Sequence, residues 1–262
     1  MSRMEPDPRV HLAARALDGI DRMIMVCSVK GGVGKSTVAT GLSLGLSELG
    51  RRVGLMDLDV TGTSLRKIMR VSGGARGDRR GIVPVTVGGV KVMSTAIGVR
   101  EETLPVVGSE AESFALGFLS VVNWGELDYL IADMPPGMGD ELMALLRLAR
   151  PKATALLVTT PSVLSLSVVG KLASFLRDEG VPITGTIENM SYVTCKCGNV
   201  LRPFGEIRDE DARRTGLGRT IAKLPIDPEL EATLSRGLSV LDAPILGPEF
   251  RRLARLVDGR AA

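Results

Sequence analysis

The stretch SVKGGVGKST, Ser28 to Thr37, decides how the rest of the chain is read. It follows an apolar run, MIMVCSV (23–29), that suits a buried strand. It leads into Thr37 to Leu49, whose length and small-to-leucine pattern predict a helix closed by Gly50. A glycine-rich turn between strand and helix presents backbone N–H groups at the positive end of the helix dipole, where an anion settles. Gly31, Gly32 and Gly34 let the backbone wrap phosphate oxygens with no Cβ in the way, and Val33 and Thr37 complete the nucleotide-contacting run. Lys35 has the reach for β- and γ-phosphates, and the Ser36 hydroxyl has the chemistry to ligate Mg2+. The strict pattern G-x-x-x-x-G-K-[ST] fails, because Val29 holds its first glycine position. What stands instead is K-G-G-x-G-K-S-T, with a second lysine, Lys30, at its front. The loop reads as a nucleotide site.

Phosphoryl chemistry also takes acids to hold Mg2+ and orient water. Candidates stand where strands should end, the edge at which open α/β sheets bind ligands. MDLDVTG (56–62) offers Asp57 and Asp59, and ADMPPGMGD (132–140) offers Asp133. A lone Asp after a strand is usually a cap or a solvated loop charge, but three at strand ends beside a phosphate loop favour function.

Outward from these motifs, DYLIADMPPG (128–137), ATALLVTTP (153–161) and VPITGTIENM (181–190) read as further buried strands, with helices near 109–121, 139–149 and 163–178 between them. Continuously apolar strands alternating with helices predict an α/β fold: a single doubly wound, mostly parallel sheet with helices on both faces. A hairpin turning at Gly88-Gly89 is expected within 81–94, and the glycine- and arginine-rich 71–81 is expected to be a mobile loop. Residues 1–20 read as a helical leader, and 21–262 as one domain with a cysteine-bearing insertion around 190–204.

With 262 residues, 44% apolar and 3% aromatic, the chain can bury one large core built from aliphatics. A net charge of +3 demands no nucleic-acid partner, and no aromatics interleave with a basic run as a base-stacking platform requires. No apolar run approaches the roughly 18 residues of a membrane span, and the N-terminus lacks the apolar stretch of a signal peptide, so a cytoplasmic protein is expected. His11 is the single histidine and lies in the leader, which excludes a histidine-based hydrolase triad. Cys27 reads as a small core residue, whereas Cys195 and Cys197 form a close pair that points to metal or redox chemistry.

Taken together and in order, VKGGVGKST (29–37), MDLDVTG, DYLIADMPPGMGD (128–140) and IENMSY…CKCG (187–198) resemble the Mrp/Nbp35 iron–sulfur cluster carrier ATPases, in the deviant phosphate-loop class of MinD, ParA and the nitrogenase iron protein. The resemblance covers about residues 23–245, and VNWGELDYLIADMPPG (122–137) favours Mrp/Nbp35 within that class. It implies a P-loop NTPase fold and a slow, switch-like, Mg2+-dependent ATPase. The expected function is an ATP-binding carrier or scaffold, working as a homodimer, that passes a cluster to apo-proteins. It implies that Lys30 reaches across the dimer to the partner's nucleotide, much as an arginine finger does. It further implies that Asp59 positions the attacking water, that Asp133 holds the metal's water shell, and that Asn189 and the backbone around Pro225 frame the adenine. Asp57 is the weaker, supporting candidate. Thr61 and Thr63 stand where members commonly have Tyr and Pro, which puts the rate rather than the binding in question.

Members usually carry C-x-x-C where this chain has C-x-C. In an extended segment, residues i and i+2 lie on one side about 6.5 Å apart, close enough to serve one cluster. Two thiols cannot fill a four-cysteine site, but a twofold dimer supplies four; the resemblance implies a [4Fe–4S] cluster bridging two subunits, with [2Fe–2S] left open. Zn2+ in the same thiolate cage, a strained disulfide and two unliganded thiols remain open. A positioning ATPase acting on DNA or membrane in the ParA or MinD manner is the alternative. It would use the tail PEFRRLARLVDGRAA (248–262) as an anchor, although the same pattern suits a packed terminal helix.

Overall fold

The computed structural model describes residues 8–59, 64–79, 81–94, 109–149, 152–195 and 197–259. At its centre is an eight-stranded sheet in the order β12-β9-β8-β1-β7-β2-β6-β5. The inner strands are β1 (Ile20–Cys27), β7 (Leu127–Asp133), β2 (Val53–Asp57) and β8 (Ala153–Thr159). All four are buried over most of their length, which explains why they read as unbroken apolar runs. β6 (Val90–Ser94), β9 (Ile183–Glu188) and β12 (Thr220–Lys223) extend the sheet in parallel. β5 (Val85–Val87) closes one edge antiparallel to β6. The turn between β5 and β6 is Gly88-Gly89 as expected, with φ of 56° and 78°, the left-handed pair that a tight hairpin turn needs.

Alternate side chains of β1 enter different cores. Met23, Met25 and Cys27 face a layer formed by α1 (Pro8–Ala16), α4 (Ser109–Val121), α5 (Asp140–Ala149) and α6 (Val163–Asp178). Ile24 and Val26 face α2 (Lys35–Glu48), α3 (Ser64–Ile68) and, beyond the short α8 (Leu230–Ser235), the C-terminal α9 (Leu246–Asp258). The doubly wound expectation therefore holds, with mostly aliphatic cores on both faces and Trp124, Phe118, Tyr129 and Phe250 among them. Where α2 meets α9, a Cβ on Gly41 would lie 2.4 Å from the Phe250 ring, so the glycine is what lets the two helices close. The apolar face of α9, with Phe250, Leu253 and Ala254, is thereby used up inside the core, as the packed-helix reading of the tail requires.

Two sequence expectations change. The stretch 71–81 is not simply a loop: β3 (Arg76–Asp78) pairs antiparallel with β4 (Gly81–Val83) through its backbone while its side chains stay exposed. The leader is continuous with the fold, because Ala13 and Leu17 are buried against the first face while His11 is exposed. The cysteine-bearing insertion forms its own small hairpin, β10 (Val193–Thr194) against β11 (Val200–Leu201), followed by α7 (Asp209–Thr215). Thr61 and Thr63 lie outside the described residues.

Candidate functional site

The phosphate loop leaves the C-terminal end of β1, whose neighbours are β7 and β8, and enters α2. Gly34 precedes the first helical residue with φ 82° and ψ 21°, a left-handed conformation that turns the chain into the helix. The first-turn N–H groups of α2 are without helical acceptors and point at the mouth of the sheet. Register then delivers the acids. Asp57 of β2 and Val26 of β1 both pair with Asp133 of β7, so both carboxylates stand at the sheet end beside the loop.

Lys35 Nζ lies 2.5 Å from Asp133 Oδ1, and both side chains are buried. Burial pushes the Asp133 carboxyl up, against the opposing pull of Lys35 and the Ser36 hydroxyl. Its other oxygen, Oδ2, is buried without a hydrogen-bond partner. An orphan acceptor beside a hydroxyl and a lysine fits a hydrated Mg2+, with Ser36 and Asp133 as the residues that would hold it. Asp57 is buried more completely than a solvated loop acid, and desolvation together with the nearby Asp133 raises its pKa to about 8. Asp57 Oδ1 accepts the Asp59 amide at 2.9 Å, so it fixes the start of the segment carrying the half-buried Asp59. Lys30 is exposed on the rim, its carbonyl accepting from the Ser28 hydroxyl at 3.1 Å. Gly31 and Gly32 are also exposed, Val33 is buried, and Thr37 is half-buried. The Gly137 amide donates to the Ser28 carbonyl at 2.9 Å, tying the segment after Asp133 to the loop.

Asn189 is placed against the loop itself. Its Nδ2 donates to the Val33 carbonyl at 2.8 Å, and a Cβ on Gly34 would lie 2.2 Å from that nitrogen. Met190 follows in a left-handed conformation, φ 55°, which a non-glycine residue adopts only when its surroundings enforce it. The enforcing contacts are visible: the Ser191 amide donates to the Leu224 carbonyl at 2.9 Å, and Ile226 donates to the Tyr192 carbonyl at 2.7 Å. Pro225 is buried between those two bonds. The chain then reaches Cys195, half-buried, and Cys197, exposed, which are joined as a disulfide with Cα atoms 5.3 Å apart. This is the disulfide alternative left open by the sequence, so cluster or zinc binding here requires the reduced pair. Among the described residues, no group of three or more His, Cys, Asp or Glu is placed to hold a metal ion within one chain.

Sequence reasoning missed two supports. Glu188, buried at the end of β9, accepts the Ser191 hydroxyl at 2.7 Å, and Lys223 lies 3.8 Å away while donating to Glu206 at 2.7 Å. These contacts clamp both ends of the cysteine-bearing insertion to the sheet edge. Asp227 accepts the amides of Ile245 and Leu246 at 2.9 and 3.0 Å, holding the start of α9. Only the KLPIDP block (223–228), flagged through Pro225, pointed there.

The chain matches the family model of the ParA class described as NUBPL iron-transfer P-loop NTPase over residues 19–259. It is 36% identical to the cytosolic Fe-S cluster assembly factor NUBP2 of Bos taurus, over 92% of this chain and 93% of that one. It is 39% identical to an iron-sulfur cluster carrier protein of Saccharolobus solfataricus, over 82% of this chain and 74% of that one. Among solved structures, a nucleotide-binding protein of Archaeoglobus fulgidus in complex with ADP is 31% identical and superposes with a TM-score of 0.74, covering 90% of this chain and 94% of that chain.

Proposed function

The chain belongs to the iron-transfer P-loop NTPases of the ParA class, and from that premise we propose that it is an ATP-driven carrier of iron–sulfur clusters. The observation that carries this reading is the direct connection of a phosphate loop to a two-cysteine hairpin through Asn189. ATP is bound by Gly31 to Thr37, with Lys35 on the phosphates. Mg2+ neutralises phosphate charge when bound, and Ser36 and Asp133 fit its shell. Asp59 orients the attacking water, and Lys30, exposed on the rim, acts on the nucleotide of a second subunit. Asn189 serves chiefly as a brace of the loop, and Pro225 keeps the adenine-side backbone in place. Two subunits contribute Cys195 and Cys197 each, so four thiolates hold one [4Fe–4S] cluster for delivery to apo-proteins of the cytosol. Hydrolysis is slow, as suits a switch between cluster-holding and cluster-releasing arrangements.

A positioning ATPase in the ParA or MinD manner gives the cysteine pair no work, and the face of α9 with Phe250, Leu253 and Ala254, which that reading would use as an anchor, is packed on α2. Anaerobic reconstitution with iron and sulfide after reduction tests the carrier reading. A broad visible band, about four irons per dimer, and loss of both in Cys195→Ala/Cys197→Ala are expected. A stable monomer with no band, or with zinc alone, would return the chain to a plain switch ATPase.

A further inference from the structure

A groove of about 830 Å³ runs between α6 and the α7 segment and is lined by none of the phosphate-loop residues 28–37. Among the described residues, five cations line it, Lys171 and Arg177 from α6 and Arg208, Arg213 and Arg214 from around α7, against Glu206 and Asp211. Those lining residues carry a surplus of three positive charges, equal to the net charge of the whole chain. Its carboxylates are already engaged. Glu206 accepts from Lys223, and Asp211 is shared between Arg208 at 3.1 Å and Arg214 at 3.5 Å. Among the described residues, Lys171 and Arg213 have no carboxylate partner. An ordinary solvated helix face is convex and mixed in sign. This one is concave, floored by Pro161, Leu166 and Gly170, and a cleft of one sign focuses its potential on what enters it.

Gly170 makes the groove possible: a Cβ there would lie 2.9 Å from the Thr215 carbonyl, so the helix and the α7 segment meet at the groove floor with their charged residues along its walls. The cations are spread rather than convergent. Lys171 and Arg177 are six residues apart on one helix, about 9 Å along its axis at 1.5 Å per residue. A single phosphate wants donors pointing at one spot, whereas the carboxylates along one side of an extended peptide recur about every 6.6 Å and are spread out as these cations are. No aromatic lines the groove for base stacking. Glu206, one of its lining residues, is nine residues beyond Cys197, just past the cysteine-bearing insertion.

We infer that this groove binds an acidic, extended segment of a partner protein beside the cysteine hairpin. That the partner is a cluster recipient rests on the carrier reading; the binding itself does not. Fluorescence anisotropy with a labelled ten-residue peptide alternating Glu and Leu, and with its Gln-for-Glu counterpart, tests it on the full chain. The acidic peptide should bind at least tenfold tighter than the neutral one at low salt and weaken as salt rises. Lys171→Glu/Arg213→Glu, and the milder Lys171→Gln/Arg213→Gln, should each reduce its affinity at least tenfold while leaving ADP binding and iron loading unchanged. Equal affinity for the two peptides, or undiminished binding by both variants, would overturn the assignment. So would displacement of the peptide by inorganic phosphate or a single-stranded oligonucleotide at matched charge, which would give the groove to small anions or nucleic acid. Iron loading is read separately, so failure here leaves the carrier reading standing, and the reverse.

Discussion

Lys35 and Asp133, 98 residues apart, form an ion pair at the buried junction of the phosphate loop and β7. The lysine is thus held on the Asp133 carboxylate, and under the proposed function it turns from there to phosphate. Removing one member of a buried pair strands the other charge, at a cost of about 3–5 kcal/mol. Lys35→Ala should therefore lose nucleotide binding and also lower the urea midpoint of the nucleotide-free protein. Lys35→Met/Asp133→Asn should recover most of the midpoint without recovering binding. An unshifted midpoint in Lys35→Ala would show the pair to be energetically silent.

Lys30 is exposed and sits outside the Lys35–Asp133 pair. Lys30→Ala should leave ADP affinity within about threefold of wild type and reduce ATP turnover at least a hundredfold, by analogy with the size of a trans-acting cation's contribution. Turnover at the wild-type rate would remove the trans role.

Asn189 holds the Val33 carbonyl at 2.8 Å. Substitution by Ala leaves that buried acceptor unpaired, at a cost of about 1–3 kcal/mol. The expected result is a corresponding loss of thermal stability with a weaker Kd for ADP, measured by calorimetry. If Asn189 served only the adenine, ADP affinity would fall while the stability of the nucleotide-free protein stayed constant.

The Asp57 pKa, raised from 3.8 to about 8, has a definite sign in stability. Between those values the folded chain keeps a proton that the unfolded chain has lost, so stability falls as pH rises from about 4 to 8. Asp57→Asn, which retains an oxygen for the Asp59 amide, should flatten that slope in metal-free, nucleotide-free protein. Chemical denaturation at several pH values reads it, and identical slopes in the two proteins would contradict the assignment.

Burial pushes the Cys27 thiol up to about 12, while Cys197 is exposed and Cys195 half-exposed. A thiol reagent should count none in the oxidised native protein, two after gentle reduction, and a third only on unfolding. A fast third thiol in the folded state would mean that β1 is less tightly covered than described.

The nucleotide site was legible because its signals are local: a glycine loop, a lysine and hydroxyl in fixed spacing, and acids at the ends of apolar runs. Parallel strands with both faces covered wrote the sheet into the sequence as continuous apolar blocks. What escaped notice depends on distance or on backbone. β3 has no apolar pattern to announce it, because its side chains face solvent while its backbone pairs with β4. The Asn189 brace spans 156 residues, and its partner is a main-chain oxygen that no side-chain motif encodes. Lys171 and Arg213, 42 residues apart in sequence, come to one groove only because α6 and the α7 segment pack together.

The left-handed Met190 sits between the brace on the phosphate loop and the hairpin that ends in sulfur. Cys195 lies only six positions beyond Asn189, a leash too short to absorb much slack. Under the proposed function, cargo and fuel become two ligands of one lever, and a thermodynamic cycle closes over them. Whatever factor ADP then imposes on the grip of the thiolates, a loaded pair of thiolates must impose on the grip of the loop for ADP.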